Sequence, residues 1–568
     1  MWAKRLRGEI QKMQTENKLH RADGKTDAEE MRDVKVGTLN PFGEVAVYIS
    51  VFFVTLILFL VFKPLYTMER NGMAAQMAGG IFIVGCLFVG AYLKMSGRLT
   101  RRRTVVLLFV IGVALRIVYM LYTPANTRQY DTWSSNFNGH EAYAWTLFTT
   151  GKLPLTNDYQ FCHPPLNALV QAGFMQFFSA FFRTFSPLYS EELFQGFLAA
   201  KPDFAGEEEY FLYQSCQILS VLYSVITCFV LLKLLWRMKI HGGMYLMAAA
   251  FVIFFPRNFQ LSGQLNNDAL AYMFSALALY FSVCWQKGGK KWGYLLACGI
   301  SIGLGMMTKL TAATICLPVA GIFLWEFVCA LRHSEGALSL RRIIGQYAVF
   351  LVICAPIGLW FQVYADIRFD QPFGFVFSNL NHRLYTGDHS VFERFFIAFD
   401  FNEYFASLWC QPFDGNYNLF HYALRSAIFG EFCFWQGEGF ACSATILAYI
   451  GCAVLAVGLI RVAVLIFHAN DREKISAEEN RKDLLFVSLL VLSQVISEVA
   501  FYIRMPYACT MDFRYILPMI PALALMIAMV FGRLKRESDA FSVALCRLAA
   551  LSFGGAILCS SIFYMVCI

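Results

Sequence analysis

PANTRQYDTWSSNFNGHEAYAWTLFTTGKLPLTNDYQFCHPPLNAL, residues 124–169, is a polar interval in an otherwise apolar chain. It concentrates Arg128, Asp131, His140, Glu141, Asp158 and His163, with Trp133, Tyr143, Trp145 and Tyr159 between them. A connector between two membrane helices needs only a few residues and no chemistry. Acids, imidazoles and flat aromatic faces are the groups that hold a sugar-like ligand and move a proton. The interval therefore reads as the active-site loop of a membrane enzyme.

Outward from the loop, hydrophobic residues make up 58% of the 568 residues and charged ones only 15%, against roughly 25% charged in soluble domains. Many apolar runs reach the roughly 20 residues that a helix needs to cross the hydrocarbon core. The expected fold is an all-α polytopic membrane protein. It should have about thirteen transmembrane helices, with amphipathic surface helices in a large first external loop. The net charge of +8 sits in short basic clusters between apolar runs, where it sets topology. That placement argues against a nucleic-acid partner and for the lipid bilayer. The 17 cysteines are scattered, mostly within apolar runs, and form no CxxC pair. They read as small buried hydrophobes, with a disulfide among Cys162, Cys410, Cys433, Cys442 and Cys509 left open.

Residues 1–40 are charged and lack an apolar core, so they read as a cytoplasmic tail without a cleavable signal peptide. Apolar runs follow at 44–66, 78–96 and 104–123. Lys94, Arg98 and Arg101 to Arg103 mark the link between the second and third as cytoplasmic, which puts the loop that opens at Pro124 outside. Leu166–Phe185 is apolar enough to be mistaken for a span. Lys233, Arg237 and Lys239 must lie inside, however, so the run at 211–235 starts outside. Leu166–Phe185 is thus expected along the outer membrane surface, with Phe174, Phe177, Phe178, Phe181 and Phe182 towards lipid or protein. Nine further runs, from 243–257 to 543–566, alternate without conflict. The chain divides into a tail (1–40), two additional N-terminal spans (41–103) and a catalytic membrane domain (104–568). The last carries external loops at 124–210 and 365–441.

This topology puts Asp131, His163, Asn267, Asp268, Lys309 and Arg514 on one membrane edge. The residues there resemble a known family. ALRIVYM (114–120), an Asp soon after it, then GHEAYAW, TGKLP and HPPLNAL within 139–169 are similar to the first external loop of the GT-C glycosyltransferases. The likeness is nearest to the branch of protein O-mannosyltransferases and lipid A aminoarabinose transferases. It continues in SGQLNNDALAYMFSALAL (262–279), MMTKLTA (306–312) and FRYILPMIPALAL (513–525), in the family's order. Residues 188–210 and much of 365–441 depart from the pattern, which leaves acceptor choice open.

The resemblance implies a polyprenyl-phosphate sugar donor and inverting transfer to an acceptor hydroxyl on protein, lipid or glycan. It also implies a multi-pass protein of a cell membrane, bacterial by family branch, with its active site outside. Such a reaction needs a base for the incoming hydroxyl and cations for the departing phosphate. Asp131 is the expected base; the alternative is a solvated loop Asp or a helix cap. Lys309 and Arg514 are expected to hold the donor phosphate, against a snorkelling lysine and an Arg514–Asp512 ion pair. His163 would bond phosphate or Asp131, or cap its turn. Glu141, His140, Asp268, Asn267, Trp133 and Tyr143 are candidate substrate contacts. Either Asn267 or Asp268 would otherwise serve as a helix cap. No metal or other cofactor is required by this scheme, since His140, Glu141 and His163 lack zinc spacing and there is no DxD pair.

The rival readings are a ligase or polymerase that moves whole glycans from the same carrier, a transporter or flippase of lipid-linked saccharides, and a non-enzymatic membrane protein. A transporter would place polar groups near the middle of broken spans, whereas here they collect at one edge.

Overall fold

The computed structural model describes residues 41–63, 70–125, 129, 131–132, 138–185, 207–333, 338–375, 384–396, 417–430, 437–467, 471–537 and 539–566. Among them the regular structure is entirely helical, as expected of an all-α polytopic membrane protein. The expected tail (1–40) and large parts of both external loops lie outside the described residues.

The principal helices run in order. α1 (Pro41–Phe62), α2 (Arg70–Met95) and α3 (Arg101–Tyr122) precede the polar loop, which carries α4 (His140–Thr150) and α5 (Leu166–Phe185). Then come α6 (Gln217–Arg237), α7 (Gly242–Phe254), α8 (Pro256–Gln260), α9 (Asp268–Lys287) and α10 (Trp292–Thr308). The chain continues through α11 (Cys316–Leu331), α12 (Leu340–Phe369), α13 (Glu438–Phe467), α14 (Asp471–Arg504), α15 (Met519–Glu537) and α16 (Ala540–Val566).

The apolar runs expected to span are helical wherever they fall among the described residues. Among the described residues ten helices are long and apolar enough to cross a membrane, or twelve if each of two bent pairs is one span. α10 has 17 residues, which at about 1.5 Å per residue leaves it short of a roughly 30 Å core.

The bends have local causes. Gly242–Phe254 and Pro256–Gly263 meet at 43°. Proline disfavours helical ψ in the residue before it, and Phe255 has ψ 122°. Ala508–Ile516 and Met519–Glu537 meet at 59°, with Pro518, which has no N–H to donate, at the break.

Packing joins these helices into one apolar core. Arg116 is buried on α3 and bonds Ser224 and Cys228 of α6, Gly112 O in its own helix and Ile253 O of α7. A guanidinium in the core is tolerated because its N–H groups find acceptors. α5 is not one of the spans. It turns Phe174 and Phe178 onto Phe52 and Phe59 of α1, while Phe177 is exposed and the Phe182 side chain lies outside the described residues. Ion pairs Lys233–Glu44, Lys287–Asp483 and Lys290–Glu326 gather at one end of the bundle. Both helix bends, the first residue of α9 and the polar loop lie at the other.

Candidate active site

The loop is tied down before it reaches Asp131. α3 ends at Thr123, whose carbonyl accepts from Lys63 Nζ and Gln217 Nε2, each at 3.0 Å. Gln129 is buried, and its Oε1 accepts the Leu265 N–H at 2.7 Å, joining the loop to the turn before α9. The first N–H groups of a helix lack intrahelical partners. At α4 the Asp131 and Thr132 carbonyls take up those of His140 and Glu141, at 3.1 and 3.0 Å. Asp131 therefore caps α4 with its backbone, which leaves its side chain for other work.

That side chain meets Arg514, 383 positions away in sequence: Nη1 donates to Asp131 Oδ2 at 2.9 Å. His140 Nε2 lies 3.7 Å from the same oxygen. The His140 and His163 rings are nearly parallel, at 11°, with centroids 6.2 Å apart. Burial pushes the Asp131 carboxyl up, but Arg514, with help from His140 and Lys309, outweighs it and holds the group well below the usual carboxylate range. Burial, reinforced by Lys309 and His140, pushes His163 down to about 3. At neutral pH Asp131 is thus an anion and His163 an uncharged imidazole.

A second pair stands beside the first. Lys309 follows α10 in an extended conformation (φ −158°, ψ 130°), with its N–H bonded back to Gly305 O. This puts its ammonium near the helix C-terminus, where positive charge is favoured. Its Nζ reaches Asp268 Oδ1, on the first residue of α9, at 2.5 Å. Both cations lie against one aromatic ring: Lys309 Nζ is 4.7 Å and the Arg514 guanidinium 5.2 Å from the Tyr515 ring centroid. The two ion pairs balance to zero net charge around that ring.

Asp131, His140, His163, Lys309 and Arg514 are brought together, with Asp268 as the partner of Lys309. Asn267 is the N-cap of α9 but makes no side-chain cap bond. Its Nδ2, with Asn266 Nδ2, Asp268 Oδ2 and Asp131 Oδ1, is buried and has no hydrogen-bond partner among the described residues. Donors and acceptors left over side by side are what a polyhydroxyl ligand satisfies. Tyr143, a candidate stacking face, is only 2% exposed, and its hydroxyl donates to the His163 carbonyl at 3.3 Å. It holds the loop together and offers no open face. Glu141 is half-buried near Tyr213. Trp133 lies outside the described residues. The thiol of Cys162 donates to Tyr159 O, and Cys410 and Cys433 lie outside the described residues. No three His, Cys, Asp or Glu side chains among the described residues are grouped to hold a metal ion.

The considered pairing of Arg514 with Asp512 is replaced. Asp512 Oδ1 accepts the backbone N–H of Arg514 at 2.8 Å, but the ionic partner of Asp512 is Arg257, at 2.9 Å. Sequence reasoning passed over Arg257, Tyr515 and Gln129, and considered Asp512 only as a partner of Arg514. Arg257 carried a signal, being a cation directly after a proline in the apolar run FVIFFPRNF.

Against known proteins, residues 211–360 match the family model described as dolichyl-phosphate-mannose-protein mannosyltransferase. No curated protein and no solved structure matches the chain. The matched segment carries Asp268 and Lys309, and ends well before Arg514.

Proposed function

We propose that this chain, whose match over residues 211–360 supports a GT-C type glycosyltransferase, moves a sugar from a polyprenyl-phosphate-linked donor to an acceptor hydroxyl. The reaction runs with inversion at the extracytoplasmic edge of a cell membrane, the N-terminus being cytoplasmic. The acceptor oxygen attacks the anomeric carbon and its proton passes to Asp131. The bond from that carbon to the phosphate oxygen breaks, and the departing lipid phosphate is held by Lys309 and Arg514. Asn267 and Asp268 meet the sugar hydroxyls. His163, uncharged, hydrogen-bonds the phosphate without adding charge. Of protein, lipid and glycan acceptors, protein is favoured by the description of the matched family.

The observation that carries this reading is the Asp131–Arg514 contact at 2.9 Å with Lys309 across the same tyrosine. A carboxylate within reach of two cations is what proton removal beside a leaving phosphate requires. In the resting arrangement each cation is occupied by a carboxylate. An arriving phosphate draws Arg514 off Asp131 and Lys309 off Asp268. The exchange frees one carboxylate as base and the other for the sugar.

The test is transfer of radiolabel from polyprenyl-phosphate sugars to envelope fractions by purified protein, comparing wild type with Asp131→Asn. Loss of a general base lowers kcat by about 10²–10⁴-fold, while donor binding stays. A defect of only a few-fold removes the base assignment.

A further inference from the structure

Both broken helix pairs converge on one salt bridge. Arg257 follows the first break and Asp512 precedes the second; both side chains are 0% exposed, and Nη2 donates to Oδ1 at 2.9 Å. The same Oδ1 accepts the Arg514 N–H at 2.8 Å, capping the short helix Phe513–Ile516. Arg257 Nη1 donates to Gln260 Oε1 at 2.9 Å, and Gln260 in turn bonds the Tyr564 hydroxyl of α16. One carboxylate oxygen thus joins the peptide that carries Arg514 to a guanidinium anchored on two other helices.

We infer that Arg257 and Asp512 are positioning residues for donor binding, holding Arg514 towards Asp131 and the donor phosphate; this rests on the phosphate role of Arg514 proposed above. The physical reason is competition. Asp512 is two residues from Arg514, and its carboxylate is a natural partner for that guanidinium. Arg257 supplies the counter-charge at Asp512 Oδ1, and the Arg514 guanidinium bonds Asp131 instead. Stability alone does not call for this charge, since a fully buried ion pair is often no better than apolar side chains of the same volume. Around the group that reports the effect, Asp131 faces Arg514, His140 and Lys309, and Asp512 faces Arg257 and Glu498 of α14.

The experiment uses the full-length protein in detergent, with a polyprenyl-phosphate sugar as donor. Arg257→Gln releases Asp512 to capture Arg514. Donor KM should rise about tenfold to a hundredfold, as for misplacement by about an ångström. The acid limb of kcat/KM should move up, as it would in Arg514→Met, by about one pH unit or more. Arg257→Lys, which keeps the counter-charge, should restore both. Asp512→Glu keeps both charges and hence the pair, but cannot cap Arg514 N with the same geometry. It should raise donor KM with thermal stability near wild type, so the proposal can fail even if Arg257→Gln does not fold. In an Arg514→Met background neither change should have a further effect on donor KM. A folded Arg257→Gln or Asp512→Glu protein with unmoved donor KM and unmoved acid limb overturns the inference. If Arg514→Met itself leaves donor KM unchanged, the failure lies in the phosphate role of Arg514.

Discussion

The exchange of partners at Arg514 has a consequence for pH that can be worked from the structure. On the proposed mechanism Asp131 acts as a base only when ionised, so the rate should fall as pH drops through its pKa. In the free protein Arg514 stands 2.9 Å from its carboxylate, which is held well below the usual range. Two unit charges about 4 Å apart at an effective dielectric of about 20 interact by roughly 4 kcal/mol. That attraction favours the charged carboxylate, so its loss raises the carboxyl. Once the donor phosphate has drawn Arg514 away, the carboxyl should therefore rise. The acid limb of kcat, which reports the enzyme–substrate complex, should lie above that of kcat/KM, which reports the free enzyme. Arg514→Met removes the cation in both states, so its kcat/KM limb should rise to meet its kcat limb. The assay is radiolabelled transfer between pH 3 and 8 (about the range a carboxylate base spans) at saturating and at limiting donor. Coincident limbs in wild type would refute the exchange, even with Asp131 kept as base.

Other outcomes follow from the second ion pair. Lys309→Met should raise donor KM by more than it lowers kcat, and should destabilise the protein by about 3–5 kcal/mol because Asp268 is left as an unpaired buried anion. Adding Asp268→Asn should recover the thermal midpoint without recovering donor affinity. A midpoint that stays low would mean the two groups are not coupled as the 2.5 Å contact requires. Tyr143→Phe, which loses one hydrogen bond to the His163 carbonyl, should cost about 1 kcal/mol of stability and leave donor KM within a few-fold. A loss of catalysis beyond that would make Tyr143 more than a prop.

The class of the protein is legible from the sequence because hydrocarbon tolerates few charges. Basic clusters such as Arg101 to Arg103 and the run of helical apolar segments leave little choice of architecture. That Asp131, Lys309 and Arg514 come together agrees with the sequence reading that places all three at one membrane edge. Their pairing does not follow. Asp512 is two positions from Arg514 and Asp131 is 383 away, so local sequence favours the wrong carboxylate. The outcome turns on Arg257, which takes Asp512 across a helix break. The helix breaks are hidden for a related reason. Hydropathy reads runs 243–257 and 514–533 as unbroken spans, but Pro256 and Pro518 bend the helices there. Tyr143 misleads as well. An aromatic residue in a polar loop looks like a stacking face, and only packing against Phe161 and the 159–163 turn turns it inward.

Tyr515 lies against both cations, and it gives a sharp test of whether it joins them in one site. Its ring is set edge-on against Phe501 of α14, with centroids 4.9 Å apart. Lys309 and Arg514 come to it from α10 and from the break before α15. A cation over an aromatic face gains about 0.5–2 kcal/mol, and the gain persists when the cation turns from carboxylate to phosphate because the ring does not compete for its hydrogen bonds. Tyr515→Phe keeps the face and should keep donor affinity within a few-fold. Tyr515→Leu removes it, leaving each ammonium or guanidinium to settle on its own carboxylate, Asp268 or Asp131, and weakening the donor by about two- to thirtyfold per cation engaged. The decisive measurement is a cycle of donor affinities for Tyr515→Leu, Lys309→Met and the double variant. If the ring acts through Lys309, the double variant should be better than additive by about 0.5–2 kcal/mol. Strict additivity would mean that the ring does not act through Lys309 and does not join the two cations.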